Sequence, residues 1–161
     1  MLQLTKRTEY GLIALVHMVD QGGEFVSARE ICDIYPVPRR LLAEVLKDLT
    51  RNGLVESQRG ANGGYALART PESITVGTVV TALEGPPALA SCSTTDLKKD
   101  GAGSCEVESV CPIRDPLHRI REGIWRQMEH TSLRSLVDPR PLSAPLTFSS
   151  ASANNPSEGS R

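Results

Sequence analysis

Cys92, Cys105 and Cys111 follow the pattern Cys-x12-Cys-x5-Cys, so three thiols fall within twenty residues. The segment around them is rich in Ser, Thr, Gly and Pro, a poor place to bury a thiol as a small hydrophobe. Thiolates ligate soft metals and iron–sulfur clusters, which makes cluster binding the leading chemistry. Structural zinc prefers closely spaced cysteine pairs and four protein ligands, and neither spacing here is that short, so zinc ranks second. A metal-free switch, in which two of the three thiols form a disulfide, stays open beside it, since exposed low-pKa thiols can sense redox state. His118 lies seven residues beyond Cys111. That is about 10 Å along a helix, too far for one chain to place both on one small cluster or to pair them as nucleophile and base, which argues against catalysis. Cys32, between Ile31 and Ile34, reads as a buried small hydrophobe, and His17, beside an apolar stripe, as structural.

These residues need a scaffold. The chain has 161 residues, which suits one compact domain with appendages. Hydrophobic residues make up 39% but aromatics only 4%, so the core must be aliphatic. The formal net charge of −1 gives no bulk argument for nucleic acid, and any basic surface has to be local. The opening MLQLTKRTEY is not a basic region followed by an apolar run, and no stretch reaches the roughly 20 apolar residues of a membrane helix. The expectation is a cytoplasmic protein without membrane contact, in a compartment where disulfides are rare.

From Thr5 to Gln21, Leu12, Leu15, Val16 and Val19 keep helical spacing up to Gly22-Gly23. Ser27-Ala28-Arg29-Glu30 reads as a capping box that opens a short second helix. Pro38 suits the first turn of a third, in which Leu41, Leu42, Val45, Leu46 and Leu49 repeat until Gly53. Two short helices joined by a tight turn form a helix-turn-helix, and the strands that follow, Leu54 to Arg59 and Tyr65 to Arg69 around a Gly-rich turn, add a wing. Thr75 caps a further helix ending at Gly85. Beyond the cysteines, Ile113, Leu117, Ile120, Ile124 and Met128 are spaced four, three, four and four, close to the seam of paired helices. From Asp138 the last twenty-four residues hold four prolines and six serines, which predicts a disordered tail. The expected fold is mostly α with a small β-hairpin: a winged helix-turn-helix at 1–85, a cysteine-bearing loop at 86–111, a long dimerisation helix region at 112–137 and a tail at 138–161.

A third helix lying in a major groove needs donors on its outer face, and Arg39, Arg40 and Lys47 lie off its apolar stripe. From Val37 to Arg69 there are six basic residues against three acidic ones, a local excess of three. At the wing, Gly63 and Gly64 would let backbone approach phosphate, while Arg59 and Asn62 would reach the minor groove. Scattered surface charges on an ordinary three-helix domain would account for the charges, though not for the order of capping box, proline turn, arginine-led helix and glycine-rich hairpin. A winged helix that binds protein instead of DNA is the remaining alternative; it predicts no salt-dependent DNA binding.

Thr5-Lys6-Arg7-Thr8-Glu9-Tyr10, Leu49-Thr50-Arg51-Asn52-Gly53-Leu54-Val55, Arg59-Gly60-Ala61-Asn62-Gly63-Gly64-Tyr65, Ile74-Thr75-Val76-Gly77 and the cysteine triad together resemble the Rrf-type winged-helix repressors, over residues 1 to about 137. Their IscR-like and NsrR-like members are iron–sulfur sensors. The resemblance implies a transcription repressor acting as a homodimer on a palindromic DNA operator, with an iron–sulfur cluster at the subunit interface that senses nitric oxide, oxygen, redox state or cluster supply. The first cysteine spacing is longer than in those members. IscR-like members carry a histidine three residues after the last cysteine, where this chain has Arg114, and a redox-sensing type uses a histidine where this chain has Tyr35. NsrR-like members use a carboxylate near the start of the first helix of the partner, and Glu9 falls at the matching position. The ligand set implied is therefore Cys92, Cys105, Cys111 and Glu9, which favours a 4Fe–4S over a 2Fe–2S cluster. An acid in the first turn of a helix also has a plain role, complementing the helix dipole.

Overall fold

A computed structural model describes residues 4–60, 63–85 and 111–138. Its elements are α1 (Lys6–Asp20), α2 (Ala28–Ile34), α3 (Arg39–Arg51), β1 (Val55–Gln58), β2 (Gly64–Leu67), α4 (Val76–Glu84), α5 (Arg114–His130) and α6 (Leu133–Val137). The expected class, mostly helical with one β-hairpin, is the one observed. Cys92, Cys105, Asn62, most of the cysteine loop and the tail beyond Asp138 lie outside the described residues.

Each helix starts and stops where its backbone groups find partners. Thr5 caps α1 by accepting from the Thr8 N–H. Ser27 caps α2 by accepting from the Glu30 N–H at 3.1 Å. The reciprocal half of the expected box is replaced: the Glu30 carboxylate lies 3.6 Å from Nε2 of His17, whose buried ring has no other polar partner for that nitrogen. Pro38 sits at the N-cap of α3, one residue earlier than expected, and its ring brings no capping side chain. At the other end Gly53 takes φ 65°, and the N–H groups of Gly53 and Leu54 bond the carbonyls of Thr50 and Leu49, both at 3.0 Å. This is a Schellman closure, which requires the left-handed region that glycine enters freely.

The core is aliphatic. Leu15, Met18, Ile31, Leu42, Val45, Leu46, Leu49, Ile74 and Val79 are fully buried where α1, α3 and α4 meet. The wing pairs antiparallel with Val55 opposite Leu67 and Gln58 opposite Gly64. Val26 joins it as a bridge, exchanging two backbone bonds of 2.9 and 2.8 Å with Tyr65, and so fixes the hairpin to the chain entering α2.

The series Ile113 to Met128, expected to form a long helix, falls on α5 and its N-cap, and a short further helix follows it. α5 ends at His130, and the next residues turn back onto the start of α4: Val76 N–H bonds the Thr131 carbonyl and Leu133 N–H bonds the Ile74 carbonyl, both at 2.8 Å. Ser132 then caps α6, and Leu133 is buried completely. Beside this bridge Gly77 lets α5 approach closely, since a Cβ there would stand 3.0 Å from Glu129 Cγ and 3.2 Å from the Glu129 nitrogen.

Candidate nucleic-acid interface and sensor elements

The apolar side of α3 (Leu42, Val45, Leu46, Leu49) is buried, which forces Arg40, Glu44, Lys47 and Arg51 outward as one exposed stripe. Arg40 is wide open, with 95% of its side chain exposed and only a loose pairing to Glu44 at 3.6 Å. Arg39 leans toward Asp33 at 3.4 Å. Arg51 belongs to this face and was missed as a candidate, although the spacing of residues 40, 44, 47 and 51 carries the signal. Arg59 is exposed at the end of β1, ahead of Gly60 with φ 117°.

The two wing glycines have reasons of their own. A Cβ at Gly63 would stand 2.3 Å from the Gln58 carbonyl oxygen, and one at Gly64 would stand 2.5 Å from that of Val26. Both are required by backbone packing of the wing, whether or not phosphate approaches there.

The first turn of α1 joins three elements. Arg7 pairs with Asp48 of α3, a contact in which both side chains are partly buried, and Asp48 also receives Arg51 at 3.2 Å. The Thr5 and Thr8 hydroxyls both donate to the Glu84 carboxylate at the end of α4, two residues before the segment that holds the cysteines. Glu9 lies on the same turn, half-buried and paired with Lys6, whose ammonium this bond holds above its usual range. The sequence singled out Glu9 alone; the partners of Arg7 and Glu84 are distant along the chain and left no local signal.

Cys111 is a free, half-buried thiol just ahead of α5. Among the described residues no three His, Cys, Asp or Glu side chains gather as a metal site. His118, the second candidate for a fourth ligand, is exposed on α5 between Arg121 at 2.9 Å and Glu122 at 3.4 Å. Cys32 is half-buried against the core, less enclosed than expected. His17 is buried, edge-on to Tyr35 with ring centroids 5.7 Å apart.

A helix-turn-helix with a basic outer stripe, followed by a hairpin wing, defines a winged-helix DNA-binding protein. The chain belongs to the Rrf2 family, whose model, described as "Iron-dependent Transcriptional regulator", matches residues 4–139. Proteins of this family are DNA-binding transcription regulators, typically dimeric, and not enzymes. Among solved structures the chain is similar to CymR (YrzC), the global cysteine regulator of B. subtilis: identity is 26%, with 84% of this chain and 96% of that one covered, and the TM-score is 0.65. It is also similar to a putative transcriptional regulator from Listeria innocua, at 29% identity, 83% and 85% coverage and TM-score 0.69. IscR of T. potens shares the fold at 24% identity, with 84% and 85% covered and TM-score 0.62. No described helix is long and apolar enough to cross a membrane.

Proposed function

We propose that this chain is a cytoplasmic, homodimeric repressor that binds a palindromic operator through Arg39, Arg40, Lys47, Arg59, Asn62 and the backbone at Gly63 and Gly64. Its operator affinity is set by an iron–sulfur cluster, 4Fe–4S rather than 2Fe–2S, held by Cys92, Cys105, Cys111 and Glu9 of the partner subunit. Three thiolates and one carboxylate are a donor set suited to such a cluster, which when bound supplies a centre reactive toward oxidants and nitric oxide.

One observation carries the coupling: the turn that bears Glu9 also bears Arg7, and Arg7 holds Asp48 on the DNA-reading helix. Ordering of the cysteine segment against this turn would move Arg7, and through Asp48 and Arg51 would shift the exposed stripe of α3. The Thr8–Glu84 bond ties the same turn to the root of the cysteine segment, so both ends of the connection are anchored.

The test is anaerobic purification with iron and sulfide analysis and a visible spectrum, followed by operator binding at matched salt for wild type and Cys105→Ala. Wild type should carry iron and sulfide, and Cys105→Ala should lose both while its operator affinity changes. Unchanged cluster content and unchanged affinity in Cys105→Ala would sink the sensing reading. The similarity to a global cysteine regulator favours a second reading, a metal-free thiol switch on the same fold. That reading predicts colourless, iron-free protein whose DNA affinity still depends on the redox state of the thiols.

A further inference from the structure

A cleft of about 230 Å³ lies between the end of α3, α4 and α5 and takes no part in the DNA-reading face. Drug-sized ligands occupy roughly 300–1,000 Å³, so whatever fits here is smaller. Leu54, Ala82 and the indole of Trp125 give it apolar lining, and it holds two charges of opposite sign, Arg69 after β2 and Glu129 on α5. Neither charge has an ionic partner among the described residues, and they do not reach each other. Glu129 is set in place by the close crossing at Gly77.

The remaining polar lining is committed in part. The Thr78 hydroxyl donates to the Thr75 carbonyl at 2.7 Å and accepts from the Thr75 N–H at 3.0 Å, so it is committed both ways, whereas the Thr81 hydroxyl donates to the Gly77 carbonyl at 2.9 Å and keeps its lone pairs. The Asn52 amide donates to the carbonyls of Asp48 and Ala82 at 2.8 and 3.3 Å, which leaves its own carbonyl oxygen. The free donors of the lining therefore come from Arg69, and its free acceptors are the Glu129 carboxylate, the Asn52 carbonyl oxygen and the Thr81 hydroxyl oxygen. A simple anion would satisfy Arg69 but meet Glu129 as a like charge, and a simple cation would do the reverse. A small molecule carrying both a carboxylate and an ammonium satisfies both.

We propose that this cleft binds a free α-amino acid, with the carboxylate on Arg69, the ammonium on Glu129 and the side chain against Trp125. Asn52 and Leu54 belong to the reading head, whereas Trp125 and Glu129 belong to α5, so occupancy fixes the angle between them. The site does not depend on a cluster.

Trp125 is the sole tryptophan of the chain, so its fluorescence reports the cleft directly. Full-length protein without DNA is titrated with L-leucine, L-methionine and L-phenylalanine, and in parallel with N-acetyl-L-leucine, which lacks the ammonium, and L-leucinamide, which lacks the carboxylate. At least one amino acid should give a saturable change, and the two derivatives of leucine should bind at least about tenfold more weakly than leucine, as expected when a charged hydrogen bond is lost. Arg69→Ala and Glu129→Gln, both at exposed positions outside the core, should each weaken binding by a similar factor while the circular dichroism spectrum stays unchanged. Absence of any saturable change, or equal binding of the derivatives and by both variants, would overturn the proposal. So would Trp125 emission that varies with protein concentration and ignores every amino acid, an outcome that assigns the cleft to contact between copies. Because the readout needs neither iron nor operator, it stands or falls separately from cluster sensing.

Discussion

A methyl group at residue 64 would press on the backbone of Val26, not on a side chain that can turn away. Gly64→Ala should therefore cost about 1–3 kcal/mol, the usual penalty for overpacking, and lower the urea midpoint accordingly. A variant as stable as wild type would mean that the hairpin is not pinned to Val26. The sequence read Gly63 and Gly64 as phosphate-approach residues because the glycine run sat in a wing; Val26, far away along the chain, was not visible from local pattern. A second residue-scale consequence concerns Glu72, which accepts from Arg134 at 2.9 Å. That bond holds its carboxyl below the ordinary 4.5, so the pair stabilises the fold above that value and the contribution disappears as pH falls through the lowered one. Both side chains are exposed, so the effect is small. Unfolding midpoints of wild type and Glu72→Gln should differ at neutral pH and converge as pH falls through and below the lowered carboxyl value; a gap that ignores pH would contradict this role.

Elements were legible to different degrees, and for physical reasons. α1, α3 and α4 are amphipathic with a cap or stop at their ends, so periodicity placed them almost to the residue. The turn from α5 into α6 left no local signal beyond the end of the Ile113 to Met128 series, because what fixes it is a bridge to Thr75, far away along the chain. The fold class and the helix-turn-helix were therefore readable. Of the candidate site, sequence offered Glu9 and the cysteines but not the wiring behind them. That wiring makes an element-scale prediction. Asp48→Asn keeps the size of the side chain but removes the charge that holds Arg7 and Arg51. It should leave the iron and sulfide content of the protein unchanged while reducing the difference in operator affinity between iron-loaded and iron-free forms at least about threefold, the loss of one partly buried ion pair. Binding curves at fixed salt measure it. If the difference stays at the wild-type value, the first turn of α1 does not communicate through Asp48.

At the scale of the molecule, α5 is the long helix least covered among the described residues, packed on α4 only through part of its length. It runs seventeen residues without burying one of them, although it carries an apolar series. Ile113 is 57% and Ile120 42% exposed, and Leu117, Ile124 and Met128 are only half-covered. An isolated helix of this length is marginal in water, and its stability must come from covering that face. Glu129 and Trp125 reach toward α4 at its far end, whereas Ile113 and Ile120 stay largely open among the described residues. The spacing fits a second copy of the same helix, which agrees with the dimeric habit of the family. Ile120→Glu places a charge in the middle of that seam without touching Leu15, Leu46 or Leu49 in the core, so the winged helix should stay folded. Sedimentation should then show the mass of one chain where wild type shows two, and far-ultraviolet circular dichroism should record a partial loss of helix. Operator affinity should fall at least about a hundredfold, because a single reading head engages one half-site and surrenders the gain from linking two. Ile113→Glu, one heptad earlier, should act in the same direction. If both variants still sediment as two chains, the seam lies elsewhere and the exposed series on α5 covers something other than its own copy.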